Sequence, residues 1–276
     1  MRTPWQHWPL AERQRQYSPS SMIDNIDDEL RRYRDDSMVA QLRHPPHTVA
    51  YGDHPTETID IYLPSARAGG TLIYVHGGYW QLLSKDDSAF MVPDLLHQGW
   101  AVAVVDYELA PARAVDGIVQ QCAAAARFVC DNGVLLGCTG PVVVAGSSAG
   151  GHLAGHCMVA EPRLAAAVLL SAVFDPRPLV GTDPNEALGL TDAGALALCV
   201  PADLGGSRPL VVAVGEVETG EFIRQSHEFA AAAAACGHPV EVLVTQGRNH
   251  FDLPFDLGVP GSALGAAVQR LRDSLP

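Results

Sequence analysis

The chain is short of cations: 18 lysines and arginines stand against 31 aspartates and glutamates, giving a formal net charge of −13 at pH 7. An acidic surface repels nucleic acid and anionic membranes, which argues against both as partners and against steering of a polyanionic substrate. A neutral or zwitterionic small molecule fits better. Long apolar runs are also missing. Nothing approaches the roughly 20 consecutive apolar residues of a membrane span. The opening MRTPWQHWPLAERQRQ holds no unbroken apolar stretch, which predicts no secretion signal and a cytoplasmic protein. The six cysteines, at 122, 130, 138, 157, 199 and 236, form no C-x-x-C pair. Most lie in apolar stretches and read as reduced, buried small hydrophobes. Metal spacing is lacking, since His44-Pro45-Pro46-His47 reads as proline-stiffened loop. Neither a G-x-x-x-x-G-K-[ST] phosphate loop nor a G-x-G-x-x-G dinucleotide fingerprint occurs. No metal and no cofactor is therefore expected.

What is present is enough apolar material for a sizeable core: 47% of the 276 residues are hydrophobic and 18% charged. Residues 1–44 are polar and charged, with helix-like spacing over Met22–Tyr33, and read as an N-terminal helical extension. From Thr48 onward short β-rich runs alternate with helical patterns, the signature of β-α units and a mostly parallel sheet. Strands are predicted at Thr58–Leu63, Thr71–Val75, Ala101–Val105, Val142–Ala145, Ala167–Leu170, Leu210–Val214 and Val240–Val244. Several are nearly continuous apolar runs, as strands covered on both faces should be. Helices are predicted near 86–98, 116–131, 149–160, 222–236 and 262–273. The Pro-, Gly- and Asp-rich segment 174–207 reads as a small cap over one end of the sheet. Residues 1–276 thus form a single domain on this reading.

Val142-Val143-Val144-Ala145 runs into Gly146-Ser147-Ser148-Ala149-Gly150-Gly151 and then a helical pattern. G-x-S-x-G between strand and helix is the nucleophile elbow of the α/β-hydrolase fold. The flanking glycines let strand and helix approach, and Ser148 projects beside a helix N-terminus that favours developing negative charge. Ser147 follows Gly146 directly and is the wrong serine for this geometry. Leu72-Ile73-Tyr74-Val75 leads into His76-Gly77-Gly78-Tyr79-Trp80, where such enzymes place a second oxyanion donor. The N–H of Gly78, with Gly77 or Tyr79 as neighbours, would partner the N–H of Ala149. One such donor is typically worth about 3 kcal/mol of transition-state stabilisation. His76 reads as a loop brace. Tyr79 and Trp80 are either core or the wall of a flat substrate's pocket.

The base should come from the loop after the last strand, which holds Gln246-Gly247-Arg248-Asn249-His250-Phe251-Asp252, so His250 takes that role by position. The acid that holds its tautomer should follow Leu210–Val214, in Gly215-Glu216-Val217-Glu218-Thr219. Glu218 is the choice here, with Glu216, nearer the strand end, as the alternative.

With these segments in place the chain resembles the kynurenine formamidase (arylformamidase) branch of the α/β hydrolases. The carrying features are His76-Gly77-Gly78-Tyr79-Trp80-Gln81, Gly146-Ser147-Ser148-Ala149-Gly150-Gly151-His152 and Asn249-His250-Phe251. Weaker matches at Tyr17-Ser18-Pro19, Tyr107-Glu108-Leu109-Ala110-Pro111 and Phe174-Asp175-Pro176 extend it over most of the chain. One departure is that Glu218 stands where the family usually has Asp. The resemblance implies hydrolysis of N-formyl-L-kynurenine to kynurenine and formate, without a cofactor. Tyr79 and Trp80 would pack on the aromatic ring, Asn185 would meet the amino-acid head, and a homodimer would be in keeping. A carboxylesterase or amidase on another small acyl compound, and a non-catalytic ligand receptor, are the rival readings.

Overall fold

The computed structural model describes residues 4–276. Nine α-helices and eight strands follow in the order α1 (Leu10–Gln16), α2 (Ile26–Arg43), β1 (His47–Ala50), β2 (Thr58–Tyr62), β3 (Gly70–Val75), α3 (Val92–His97), β4 (Trp100–Val105), α4 (Val115–Asn132), β5 (Val142–Ser147), α5 (Ala149–Ala160), β6 (Ala166–Leu170), α6 (Asn185–Leu188), α7 (Asp192–Ala197), β7 (Leu210–Val217), α8 (Gly220–Ala235), β8 (Val240–Asn249) and α9 (Ala263–Asp273) among the described residues. They build one sheet of order β1-β2-β4-β3-β5-β6-β7-β8. The β1–β2 and β2–β4 pairs are antiparallel and every later pair is parallel. This is the α/β-hydrolase fold expected from the sequence.

Alternation along the strands sorts the core into two layers. Ile73 and Val75 of β3 pack with α4, α5 and α8, whereas Leu72 and Tyr74 pack with α2, α3 and α9. Both faces are covered, which is why the central strands are apolar at nearly every position. The topology also locates the site. From β3 the chain crosses to β4 on one side, and the next crossover places β5 on the other. The crevice outside the carboxyl ends of β3 and β5 is where such sheets bind ligands.

Helix α2 begins at Asn25, whose side chain accepts a bond from the N–H of Asp27, and its first turn carries Asp27, Asp28 and Glu29 against the dipole. It runs Ile26–Arg43, later and longer than the predicted Met22–Tyr33, and stops just before Pro45-Pro46. The predicted helix at 86–98 is instead a 3₁₀ turn at Lys85–Asp87 and a short α3, with Pro93 in its first turn. Strand β1 lies where no element was predicted, and helix α1 falls within the expected N-terminal helical extension but outside the helix-like spacing at Met22–Tyr33. Within 174–207 the chain forms a 3₁₀ turn at Arg177–Leu179 followed by α6 and α7. No helix among the described residues is long and apolar enough to cross a membrane.

The α7 end is tied to α5 through imidazoles. His152 donates from Nε2 to the Leu198 carbonyl at 2.7 Å, and His156 reaches the same oxygen at 3.1 Å. Burial, and secondarily the neighbouring His156, pushes the His152 pKa down to about 3. Between that value and the ordinary one near 6.5, the unfolded chain binds a proton that the folded chain refuses. This part of the stability is complete above pH 6.5 and declines as pH falls toward 3, by about 1.4 kcal/mol per unit. His152→Gln, measured by urea unfolding at a series of pH values, is expected to flatten the decline between pH 6 and 4.

Candidate active site

Strand β5 ends at Ser147, and the next residue holds φ 58° and ψ −121° before α5 begins. That is a left-handed backbone for a residue with a Cβ, costing on the order of 1–3 kcal/mol. Three hydrogen bonds hold it: the Ser148 N–H donates to the Leu170 carbonyl at 2.8 Å, and the Ser148 carbonyl accepts from His152 at 3.1 Å and Val173 at 3.3 Å. A methyl group on Gly150 would lie 2.0 Å from the Val75 carbonyl oxygen, so only glycine lets α5 start against the end of β3. Ser148 is 7% exposed and faces a cavity of about 520 Å³.

The loop after β3 lies against this turn. A Cβ on Gly77 would sit 2.8 Å from the Ser147 carbonyl oxygen and 3.3 Å from Ser148 Cβ. Gly78, Tyr79 and Trp80 all take positive φ, and the Gly78 carbonyl accepts from Gln81 and Leu82, both at 2.9 Å. Among the described residues, the N–H groups of Gly77, Gly78, Tyr79 and Ala149 have no protein acceptor. Tyr107 braces the loop: its ring stacks on His76 at 4.1 Å and its hydroxyl donates to the His76 carbonyl at 2.8 Å. His76 therefore works in packing, with Nε2 3.5 Å from Asp106.

The histidine sits on a turn folded by its neighbour. The Asn249 side-chain oxygen accepts from the N–H groups of Phe251 at 2.7 Å and Asp252 at 3.0 Å, while Asp252 accepts from the Asn249 N–H at 2.6 Å. His250, 6% exposed, meets Glu218 through Nδ1 at 2.7 Å. With Nδ1–H donated to the carboxylate, Nε2 is the basic nitrogen. Glu218 is the acidic partner because the β7–β8 ladder breaks register here: Gly215 pairs with Thr245 and Val217 with Asn249, so β8 carries the extra residues. Glu216 is thereby turned outward, is exposed, and accepts from the Gly247 N–H at 2.9 Å. Glu218 is turned inward, and Gly215 makes room, since a Cβ there would lie 2.3 Å from the Arg248 carbonyl oxygen.

Two expectations about the pocket need correction. Trp80 is fully buried in the core, its ring edge-on to His152 at 5.0 Å, and does not line the cavity; Tyr79 does. Asn185 is committed to closing α6, donating to the Leu190 carbonyl at 3.0 Å and accepting from the Leu190 N–H at 2.8 Å. Its neighbours Thr182, Asp183 and Pro184 reach the cavity instead. Much of the wall is N-terminal and was not anticipated: Tyr17, Ser18, Ile26, Leu30 and Tyr33 all face the cavity. This segment is clasped to the loops that follow β3, β7 and β8. The Tyr79 hydroxyl donates to the Tyr17 carbonyl. Thr219, next to Glu218, donates to the Gln16 carbonyl at 2.5 Å, and Tyr33 donates to the Phe251 carbonyl at 2.6 Å.

Residues 59–163 match the family model described as BD-FAE. Over 271 residues, spanning 90% of this chain and 92% of the relative, the sequence is 30% identical to the kynurenine formamidase of Danio rerio. A proposed thioesterase of Silicibacter sp. TM1040 superposes with a TM-score of 0.83 at 26% identity, covering 93% of this chain and 98% of that one. A thermostable carboxylesterase from a metagenomic library shares the fold, with a TM-score of 0.71 at 22% identity over 92% of this chain and 98% of its own.

The two acidic candidates part by experiment. Glu218→Gln should lower kcat steeply, on the scale of the about 10⁴-fold lost when a triad acid is neutralised. Glu216→Gln should stay close to the parent. Steady-state rates of the two variants with one substrate check this, and a larger loss at 216 would reverse the assignment.

Proposed function

From the premise that this chain belongs to the kynurenine formamidase family of amide- and ester-hydrolysing enzymes, we propose that it cleaves N-formyl-L-kynurenine to L-kynurenine and formate through Ser148, His250 and Glu218. The observation that carries the substrate is the 30% identity to the Danio rerio kynurenine formamidase along 90% of the chain.

The formyl carbonyl oxygen lies between the N–H groups of Gly78 and Ala149, which have no protein acceptor. Ser148 Oγ attacks the carbonyl carbon while His250 Nε2 takes its proton, and Glu218 on Nδ1 stabilises the imidazolium. The negative charge that develops on oxygen is met by donors already fixed in place, so little reorganisation is needed. His250 then protonates the departing aniline nitrogen, leaving a formyl-serine ester. Water, deprotonated by His250, releases formate and restores Ser148. The formyl group needs little room. The cavity volume serves the leaving group instead, whose ring fits among Ile26, Leu30, Tyr33 and Phe251. A cytoplasmic setting suits six cysteines that are all free, three of them buried.

Purified enzyme is expected to show a higher kcat/KM for N-formyl-L-kynurenine than for p-nitrophenyl acetate, and Ser148→Ala should bring both near the uncatalysed rate. A clear preference for the simple ester would replace the formamidase with a carboxylesterase on the same machinery. Retained turnover in Ser148→Ala would remove the nucleophile.

A further inference from the structure

Immediately after β6 stands Ser171, fully buried, with φ 43°. A glycine would take this backbone freely, whereas a side chain there is strained. Strain kept at a buried polar residue directs attention to what its side chain does. Its hydroxyl donates to Glu218 Oε1 at 2.5 Å, and the Gly215 N–H donates to the same oxygen at 2.7 Å. The other carboxylate oxygen, Oε2, is the one that meets His250 at 2.7 Å. The two oxygens of the acid thus have separate tasks, one facing the imidazole and one anchored in the sheet.

The backbone around Ser171 is equally committed. Its own N–H donates to the Ala213 carbonyl on β7 at 2.7 Å. Leu170 accepts from the Ser148 N–H, and Val173 donates to the Ser148 carbonyl. Three residues within a stretch of four therefore hold the Ser148 main chain on one side and the Glu218 side chain on the other. Glutamate has one more rotatable bond than aspartate. A carboxylate on that longer arm needs a fixed point if its Oε2 is to stay aimed at the histidine.

We propose that Ser171 is a positioning residue of this active site: its hydroxyl anchors Glu218 Oε1 and so sets the orientation of His250 relative to Ser148. The proposal rests on the reading of Ser148, His250 and Glu218 as the reacting set. It acts through Glu218 and makes no contact with substrate.

The test is a double-mutant cycle between positions 171 and 218, on both N-formyl-L-kynurenine and p-nitrophenyl acetate. Ser171→Gly removes the hydroxyl while relaxing the backbone, and Ser171→Ala removes it with the Cβ retained, so a fold defect in one does not stop the measurement. Each hydroxyl-less variant should lose about ten- to a hundredfold in kcat with KM changed less than about twofold, as expected of misplacement and not of lost binding. In the Glu218→Gln background the same substitution should have little further effect, because the group it positions is already disabled. A kcat within about twofold of the parent in a folded Ser171→Gly or Ser171→Ala, or losses that multiply fully with Glu218→Gln, would overturn the proposal. Ser148→Ala, run alongside, separates the two levels: if it is inactive, failure at 171 belongs to Ser171 alone. If it retains turnover, the reacting set itself is wrong and the proposal falls with it.

Discussion

The backbone at Ser148 is the constraint around which the rest is arranged. A residue with a side chain is held left-handed between a strand and a helix, and nothing local favours that state. It persists because the neighbouring backbone has no other place for it. Gly150 admits the β3 end to within contact, Gly77 lies over the Ser147 carbonyl, and the segment from Leu170 to Val173 hydrogen-bonds the residue from both sides. These contacts come from three different strand ends. They meet only because the sheet order places β3, β5 and β6 side by side.

The loops that flank this corner are braced locally. The β3 loop is stiffened from below by the Tyr107–His76 stack, and the turn bearing His250 is closed by Asn249. Inside the crevice both braces are made by ring stacking and short polar side chains. The ion pair of Arg248 with Asp256 lies outside that crevice and anchors the turn to the 3₁₀ segment that follows.

The sequence was legible where chemistry and periodicity coincide. Apolar strands such as β3 and β5, and the glycine-rich turns after them, carry their own signatures, so β2 to β6 were found within two residues of their bounds, whereas β7 and β8 run three and five residues past their predicted ends, where the sequence turns polar. Strand β1 was missed because it is a mostly exposed edge with no alternating pattern. Helix α1 fell inside the expected helical extension without bounds of its own, because LAERQRQ is short and polar, buried mainly at Gln16. The register break between β7 and β8, beside which Glu216 is exposed and Glu218 buried, leaves no mark in composition. Adjacent Tyr79 and Trp80 were indistinguishable on paper, yet successive positive φ values send one ring to the cavity and the other into the core. Ser171 had no signal at all, since a lone serine after an apolar strand is common and its partner is 47 residues away.

The N-terminal wall of the cavity has a consequence for how such a protein changes over time. Ser148, Glu218 and His250 follow directly on strand ends, while Ile26 and Leu30 face the cavity from α2, near the start of the chain. A methylene gained or lost on that helix reshapes the cavity without disturbing any bond at the Ser148 corner. Substrate range can therefore drift in a lineage while the hydrolytic apparatus stays untouched, with appetite and chemistry written in separate stretches of one gene.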